Sequence, residues 1–412
     1  MKKRINVFTI LLALVFLFPS AFFTGCSADG VVSTANIISG GDLLISETIL
    51  EGAKTDDGVY DFNYIFKYAK DYIKDADYAV INLETSIGGE EAGYCGFPLF
   101  NTPESIIEAA KDAGFDMFLT ASNHSYDLGY DAVINKINTL EEYGVDYIGT
   151  RKDETEDFHK IIEVNGIKIG MLNYTRQTST STKEKVILNS TTDRTTGERN
   201  HVVVDENGQK LIASYNNDYL DEFYDTLKAD IETLKNDGAD IITVYPHWGT
   251  EYNIFYNELE DEMAQTMCDY GVDIIIGGHP HVVEPVKVYT SEISGKTTVC
   301  IHSTGNFVSS MRSTQDKNNA AYTEDGVLFE YTISKYKDGH CEVSSVSALP
   351  LWVKNTKGKK YTVIPLDEDV NWEKEYNVYC YSEKTSSGYQ SFLRTKDLVD
   401  AGIEEFNNIQ SK

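Results

Sequence analysis

Residues 272–282 read Val272-Asp273-Ile274-Ile275-Ile276-Gly277-Gly278-His279-Pro280-His281-Val282. A short apolar run without alternation is the pattern of a strand buried on both faces, as in the middle of a parallel sheet. The carboxyl end of this strand delivers two glycines and then two histidines around a proline. Proline restricts the residue before it toward extended conformations, and in an extended chain residues two apart point to one side. Both imidazoles are therefore expected to face one cavity, with Gly277 and Gly278 letting the backbone approach a bound ion closely.

Other strand-like segments end in polar residues of the same kind. Residues 36–45 carry Gly41-Asp42, and residues 78–85 end in Asn82-Leu83-Glu84-Thr85. The strand from Phe115 runs into Ser122-Asn123-His124, followed by Asp127 and Gly129. Residues 241–248 end in Pro246-His247-Trp248-Gly249, then Glu251-Tyr252, and a later strand ends in Gly305-Asn306-Phe307. In open α/β sheets ligands gather at the carboxyl ends of strands. Taken singly, Gly-Asp after a strand is usually a turn, and a lone histidine is usually a satisfied imidazole. Together the strand ends supply Asp42, Glu84, Asn123, His124, His247, His279 and His281, which include four of the chain's eight histidines. Mixed imidazole, carboxylate and carboxamide ligation suits Mn, Fe or Zn better than Ca or Mg.

Between these strands lie amphipathic helical patterns: residues 61–74, 103–114 closed by Gly114, 130–144 closed by Gly144, 219–237, and about 257–270. Asn165-Gly166 between two apolar runs marks a two-residue hairpin turn. Alternation of this kind predicts an α/β domain with helices covering the sheets. The strand-rich second half predicts a sheet that is not purely parallel. Residues 176–217 are rich in Ser, Thr, Asn and charge, lack periodicity, and read as a polar insertion, either a lid or a mobile segment. The core domain spans 36–355, and residues 356–412 read as a C-terminal appendage.

The chain has 36 basic and 65 acidic side chains among 412 residues, a formal charge of −29. That argues against nucleic acid as a partner, because phosphate neutralisation needs a basic face. The first residues, MKKRINVFTILLALVFLFPSAFFTGC, combine a basic start, an apolar run and small residues before Cys26. This is an export signal over residues 1–25, with 26–35 as a linker. Phe23-Thr24-Gly25-Cys26 resembles a bacterial lipobox, which implies lipidation of Cys26 and an extracytoplasmic, membrane-anchored protein. An uncleaved N-terminal transmembrane anchor is the alternative. The remaining cysteines, Cys95, Cys268, Cys300, Cys341 and Cys380, are widely spaced without a CxxC pair and read mostly as small buried residues.

GGDLL, INLETSI, ASNHSYDLGYD, YPHWGTEY, GGHPHVVEP and STGNF occur in this order over residues 36 to about 312. They resemble the bacterial capsule-synthesis CapA family, linked to poly-γ-glutamate production, which looks like a branch of the calcineurin-like metallophosphoesterases. The resemblance implies a four-layer α/β/β/α sandwich with one or two divalent ions (Mn, Fe or Zn) above the sheets. It places Asp42 and His281 at the first metal and Asn123, His247 and His279 at the second. Glu84 takes the position of the bridging aspartate. It implies a catalytic pair in which His124 is a general acid oriented by Asp127. The usual first motif is Asp-x-His, and here the third position is Leu44, so the first site lacks one imidazole. Glu251 is a candidate replacement ligand, while Asn306 and Arg312 are candidate substrate contacts. Trp248 and Tyr252 read as packing residues, and His159, His201, His302 and His340 as structural or solvated.

Three functions compete on this reading. One is assembly, attachment or export of an anionic cell-envelope polymer, as hydrolase or transferase, alongside membrane proteins of polymer synthesis. Another is hydrolysis of an unrelated phosphoester. The third is a non-catalytic, polymer-binding scaffold.

Overall fold

The strand quoted above, Ile274–Ile276, is buried on both faces and pairs in parallel with Ile241–His247 and Thr297–Ile301. The computed structural model describes residues 30–192, 196, 198–312, 322–356, 358–378 and 387–411. Two mixed sheets face each other. Edge to edge, the first runs Lys360–Pro365, Cys341–Thr356, Asp325–Tyr336, Val31–Leu43, Tyr78–Leu83, Met117–Leu119 and Asp146–Ile148, with Asn306–Val308 paired to Val31–Leu43. The second runs Val286–Thr290, Thr297–Ile301, Ile274–Ile276, Ile241–His247, Ile167–Arg176 and Lys160–Val164, with Ser214–Tyr215 on the Ile167–Arg176 strand.

Three apolar clusters define the layers. Between the sheets, Ile37, Val80, Met117 and Phe329 of the first meet Ile169, Ile241, Ile274 and Ile301 of the second. Outside the first sheet, Ile49, Ile65, Ile106 and Ile107 of the helices cover Ile81 and Leu83. Outside the second, Leu227 and Ile231 of Leu220–Asn236 and Met263 and Met267 of Glu258–Tyr270 cover Ile242 and Val244. The order is α/β/β/α, as the resemblance implied. The mixed pairing agrees with the expectation from the strand-rich second half: Lys160–Val164 and Val286–Thr290 join their sheet antiparallel. Helix boundaries follow local chemistry. Asn257 and Glu260 form a reciprocal capping box that starts Glu258–Tyr270. The expected helix over 61–74 is instead two short ones, Asn63–Phe66 and Lys70–Lys74.

Two segments differ from their sequence reading. The tail is no appendage. Lys360–Pro365 pairs antiparallel with Cys341–Thr356 as an edge strand, and Ser387–Gln410 packs Val399 and Phe406 into the inter-sheet core. Gly402 lies so close to Val286 that an added Cβ would meet its carbonyl oxygen at 2.1 Å. A polar start hid this integration, because only a few widely spaced apolar positions touch the core. The polar insertion also has structure: an antiparallel hairpin, Val186–Thr192 with Arg199–Val204, whose Val186, Leu188 and Val204 pack with Ala121, Tyr126 and Ile137. Its contacts are long-range, which local periodicity cannot report.

Among the described residues no helix is long and apolar enough to cross a membrane. The signal segment and Cys26 lie outside the described residues, as does Cys380. Cys268 and Cys300 are buried thiols, and Cys95 and Cys341 are half-buried thiols.

Candidate metal centre

The site is assembled where strand ends of both sheets meet. In Val31–Leu43 the pairing register shifts at Asp42, a local irregularity of the kind that re-aims a side chain. The Gly41–Asp42 pair is thus part of a strand and not a simple turn. Gly41 is required by contact: a Cβ there would sit 1.9 Å from the Gly305 carbonyl oxygen. The two histidine-bearing strand ends of the second sheet are tied by backbone bonds, Gly278 N–H to the Pro246 carbonyl and Trp248 N–H to the Gly278 carbonyl, each 3.1 Å. Asn173, buried on the Ile167–Arg176 strand, accepts from the Thr120 and Ala121 amides at 3.1 and 2.8 Å. It also donates to the Tyr245 carbonyl at 2.9 Å. It thereby fixes the Asn123 loop against the His247 strand.

His279 and His281 do face one cavity, with ring centroids 6.1 Å apart. The backbone reason differs from the extended-chain expectation. Both residues have positive φ, 96° and 59°, so a left-handed path presents the rings. Such values are unfavourable for residues with a Cβ. The glycines serve packing. A Cβ on Gly277 would lie 1.7 Å from the His302 carbonyl oxygen, and one on Gly278 would lie 2.9 Å from Asp42 Oδ1.

Two groups of buried ligand atoms result, each with all its atoms within 4.8 Å of one another: Asp42, Glu84 and His281, and Glu84, His247 and His279. Glu84 belongs to both. Its Oε1 lies 3.3 Å from His247 Nε2 and 3.8 Å from His281 Nε2. Yet both its oxygens are buried without accepting a hydrogen bond, and His279 Nδ1 is likewise unpartnered. A buried carboxylate is normally satisfied by donors or by a cation. The donor set of carboxylates and imidazoles therefore fits divalent transition ions. Asn123 Oδ1 lies 2.9 Å from His247 Nε2, which places it beside the second group. The first group has one imidazole where the second has two. Leu44 is buried and offers only its backbone amide, to the Val308 carbonyl.

Electrostatics divides the two neighbouring histidines. For His281, burial opposes a charge, but the charges of Glu84 and Asp42 and the Asp42 hydrogen bond push the imidazole up to about 10. For His279, burial together with the charges of His247 and Arg176 holds it well below the usual range. Asp42 pays desolvation on burial, but its bond to His281 at 3.2 Å and the charges of His281 and His247 hold the carboxyl below the ordinary range. Asn82, which the sequence reading passed over, donates to Asp42 Oδ1 at 2.7 Å and lies 3.3 Å from His247 Nδ1.

His124 stands outside both groups. Its Nδ1 is 2.7 Å from Asp127 Oδ2, and both residues are buried. Burial lowers the imidazole's affinity for a proton, but Asp127 beside it, with Glu84 farther off, raises it above the ordinary value. Asp127 is itself held by the Phe100 amide at 2.9 Å and by the Asn189 side-chain amide at 2.8 Å. Asn189 comes from the polar insertion and was missed in sequence, as was Arg176, whose Nη2 is 3.5 Å from His279 Nε2.

The remaining candidates fall in different places. Glu251 is exposed on the rim of the adjoining cavity and acts on His281 only through its charge. Asn306 is fully buried, with Oδ1 3.1 Å from His281 Nδ1 and Nδ2 donating to the His281 and Thr323 carbonyls. It holds His281 from behind and is enclosed, not open to the cavity. Arg312 lies over the Tyr361 ring, 5.0 Å from its centroid, and donates to the Met311 carbonyl. Trp248 is buried against His302, and Tyr256 stacks on that imidazole at 3.7 Å. Just past the histidines, Glu284 is fully buried with neither oxygen hydrogen-bonded. Burial, helped by the charge of Glu260, pushes its carboxyl up to about 9.

Fold and site together define a four-layer α/β protein with a cleft in which one shared carboxylate joins two groups of side chains that could hold divalent cations. The family described as "Bacterial capsule synthesis protein PGA_cap" matches residues 36–311, and the chain belongs to it. It is 27% identical over 322 residues to the PGA biosynthesis protein CapA of Bacillus subtilis (strain 168), covering 75% of this chain and 72% of that protein. It is 28% identical over 270 residues to the capsule biosynthesis protein CapA of Bacillus anthracis, covering 63% of this chain and 57% of that protein. A solved structure of purple acid phosphatase PPD1 from yellow lupin (Lupinus luteus) seeds overlaps with a TM-score of 0.36 at 12% identity, covering 77% of this chain and 53% of that one.

Proposed function

We propose that this chain is an extracytoplasmic, metal-dependent hydrolase or transferase acting on capsule, poly-γ-glutamate or a related anionic cell-envelope polymer. The observation that supports it most is Glu84, buried with two unsatisfied oxygens and shared by two ligand groups. Asp42, Glu84 and His281 would hold one ion, and Glu84, His247, His279 and Asn123 the other. Bound there, divalent cations act as Lewis acids on a carbonyl or phosphoryl oxygen and supply a nucleophile at neutral pH.

The chain's own residues do the rest. Asp127 holds His124 through Nδ1, so Nε2 is the atom that carries a proton to a leaving group. Although burial works against it, Asp127 raises the affinity of His124 for that proton. Asn82 and Asn306 orient Asp42 and His281 from behind, as outer partners of ligands do. The polymer role is supported by the family and by the CapA relatives. The envelope location is supported by the signal segment and the lipobox around Cys26, which would also bring the chain beside membrane proteins of polymer synthesis.

The test is an assay of purified protein supplied with Mn, Zn or Fe on a γ-linked glutamyl oligomer and on an aryl phosphoester. Cleavage or transfer of the oligomer supports the proposal. Hydrolysis of the phosphoester alone favours an unrelated phosphoester substrate. No turnover of either by metal-loaded protein favours a scaffold.

A further inference from the structure

Beside the second ligand group opens a cavity of about 440 Å³. Its wall includes His247, His279 and Asn123 and, from the polar insertion, Arg176 and Arg199, with Glu251 on the rim. We propose that this insertion wall is an anion subsite, in which Arg176 and Arg199 grip a negatively charged substituent of the substrate next to the bond being processed. This rests on the proposed hydrolase or transferase reading and adds to it the substrate feature that is selected.

The placement of Arg176 carries the argument. It ends the strand Ile167–Arg176, whose Thr175 is in register with His247, so the sheet itself sets its distance from the ligands. Its guanidinium reaches His279 Nε2 at 3.5 Å. Among the described residues no carboxylate pairs with it, although the charge of Glu260 reaches it. A half-buried guanidinium directed at a ligand group leaves its fork for an incoming oxyanion, and the planar fork matches carboxylate and phosphate bidentately.

Charge distribution adds a second argument. Acidic side chains outnumber basic ones 65 to 36, so the molecule as a whole repels a polyanion. Within this cavity two arginines face one carboxylate, Glu251, so the local balance is reversed, and cations held at the ligand groups would add to it. The hairpin that carries Arg199 also contributes Asn189, which donates to Asp127 Oδ1 at 2.8 Å and lies 3.2 Å from His124 Nδ1. The insertion thus ties anion recognition to the residue that positions the proton donor. The shared chemistry is an oxyanion flanking the scissile group: the free carboxylate of a γ-linked glutamyl unit, or the phosphate of a phosphoester.

The experiment is calorimetric binding of a γ-linked glutamyl tripeptide, its fully amidated analogue and inorganic phosphate. Parent, R176Q, R176K and R199Q proteins are compared, in metal-loaded and metal-free forms. Metal content and thermal unfolding are recorded for each, which separates failure of the subsite from loss of the ions or of the fold. The expected result is that R176Q and R199Q keep the parent's metal but bind the tripeptide about tenfold or more weakly, the loss of a charge-assisted bond. R176K should fall between, and amidation should cost the parent as much as R176Q does. Dependence on Arg176 for phosphate but not for the tripeptide would support the subsite and assign a phosphoester as its source. Equal binding of charged and amidated peptide by parent, unchanged affinities in both Gln variants, or no binding of either anion overturns the proposal. An ion-free parent would sink the hydrolase reading, while Arg-dependent anion binding in that protein would still support the subsite.

Discussion

Glu284 offers a quantitative test of the electrostatics around the site. It is fully buried, both oxygens lack donors, and its carboxyl is pushed up to about 9 by burial and by Glu260. Raised above its unfolded value, the group holds a proton in the folded state that the unfolded chain releases. Its contribution to stability is therefore fully present below the unfolded value near 4.5 and is lost progressively as pH rises toward the folded value. Within that window the loss is about 1.4 kcal/mol per pH unit, whatever the upper limit. Glu284→Gln presents the same polar bulk without a titratable proton. The gap between variant and parent should thus widen by roughly 3 kcal/mol in the variant's favour between about pH 5.5 and pH 7.5. Urea unfolding at the two pH values measures it. A gap that does not move with pH would mean that Glu284 is ionised in the folded protein, and the reasoning from its unpartnered oxygens would be wrong.

Other consequences follow from the same geometry. H124A should retain the parent's metal and lose about 10²–10⁴-fold in turnover, the usual worth of a positioned proton donor, measured with the productive substrate of the assay above. D127N should act in the same direction by releasing the His124 ring, and N189A should show a smaller loss with metal content unchanged. Substituting Gly277 by Ala places a Cβ 1.7 Å from a backbone carbonyl. Overpacking of that severity should cost about 3 kcal/mol or more, visible as a lowered unfolding midpoint; an unchanged midpoint would contradict the close approach of the two strand ends.

Much of the candidate set that the structure brings together was legible because it sits at the ends of short, strongly apolar strands. There the burial pattern identifies the strand, and the polar residues after it have few other reasons to be there. His279 and His281 illustrate the limit of that logic. Their convergence was expected, but it is achieved through positive φ at both residues, which no dipeptide preference announces. Asn82 had a signal that went unused. With Glu84 it brackets the buried Leu83, so by alternation the two polar side chains share a face.

Asn189 and Arg176 were not legible. Their roles arise from contacts over 62 and 103 residues, and their segment has no periodicity to betray a hairpin. The tail was misjudged for a related reason. Edge strands and helices that touch the core at a few positions look, in sequence, like solvated chain. Leu44 was the informative departure. The first ligand group does lack a second imidazole, and the exposed Glu251 does not replace it.

The central claim is that Glu84 joins two cation sites, and metal stoichiometry tests it most directly. Elemental analysis of the protein, loaded with Mn, Zn or Fe and then desalted, should find divalent ions in the parent and almost none in E84Q, with H279A losing only the second-site ion. Parent protein free of metal after loading, or E84Q that holds as much as the parent, would contradict the account.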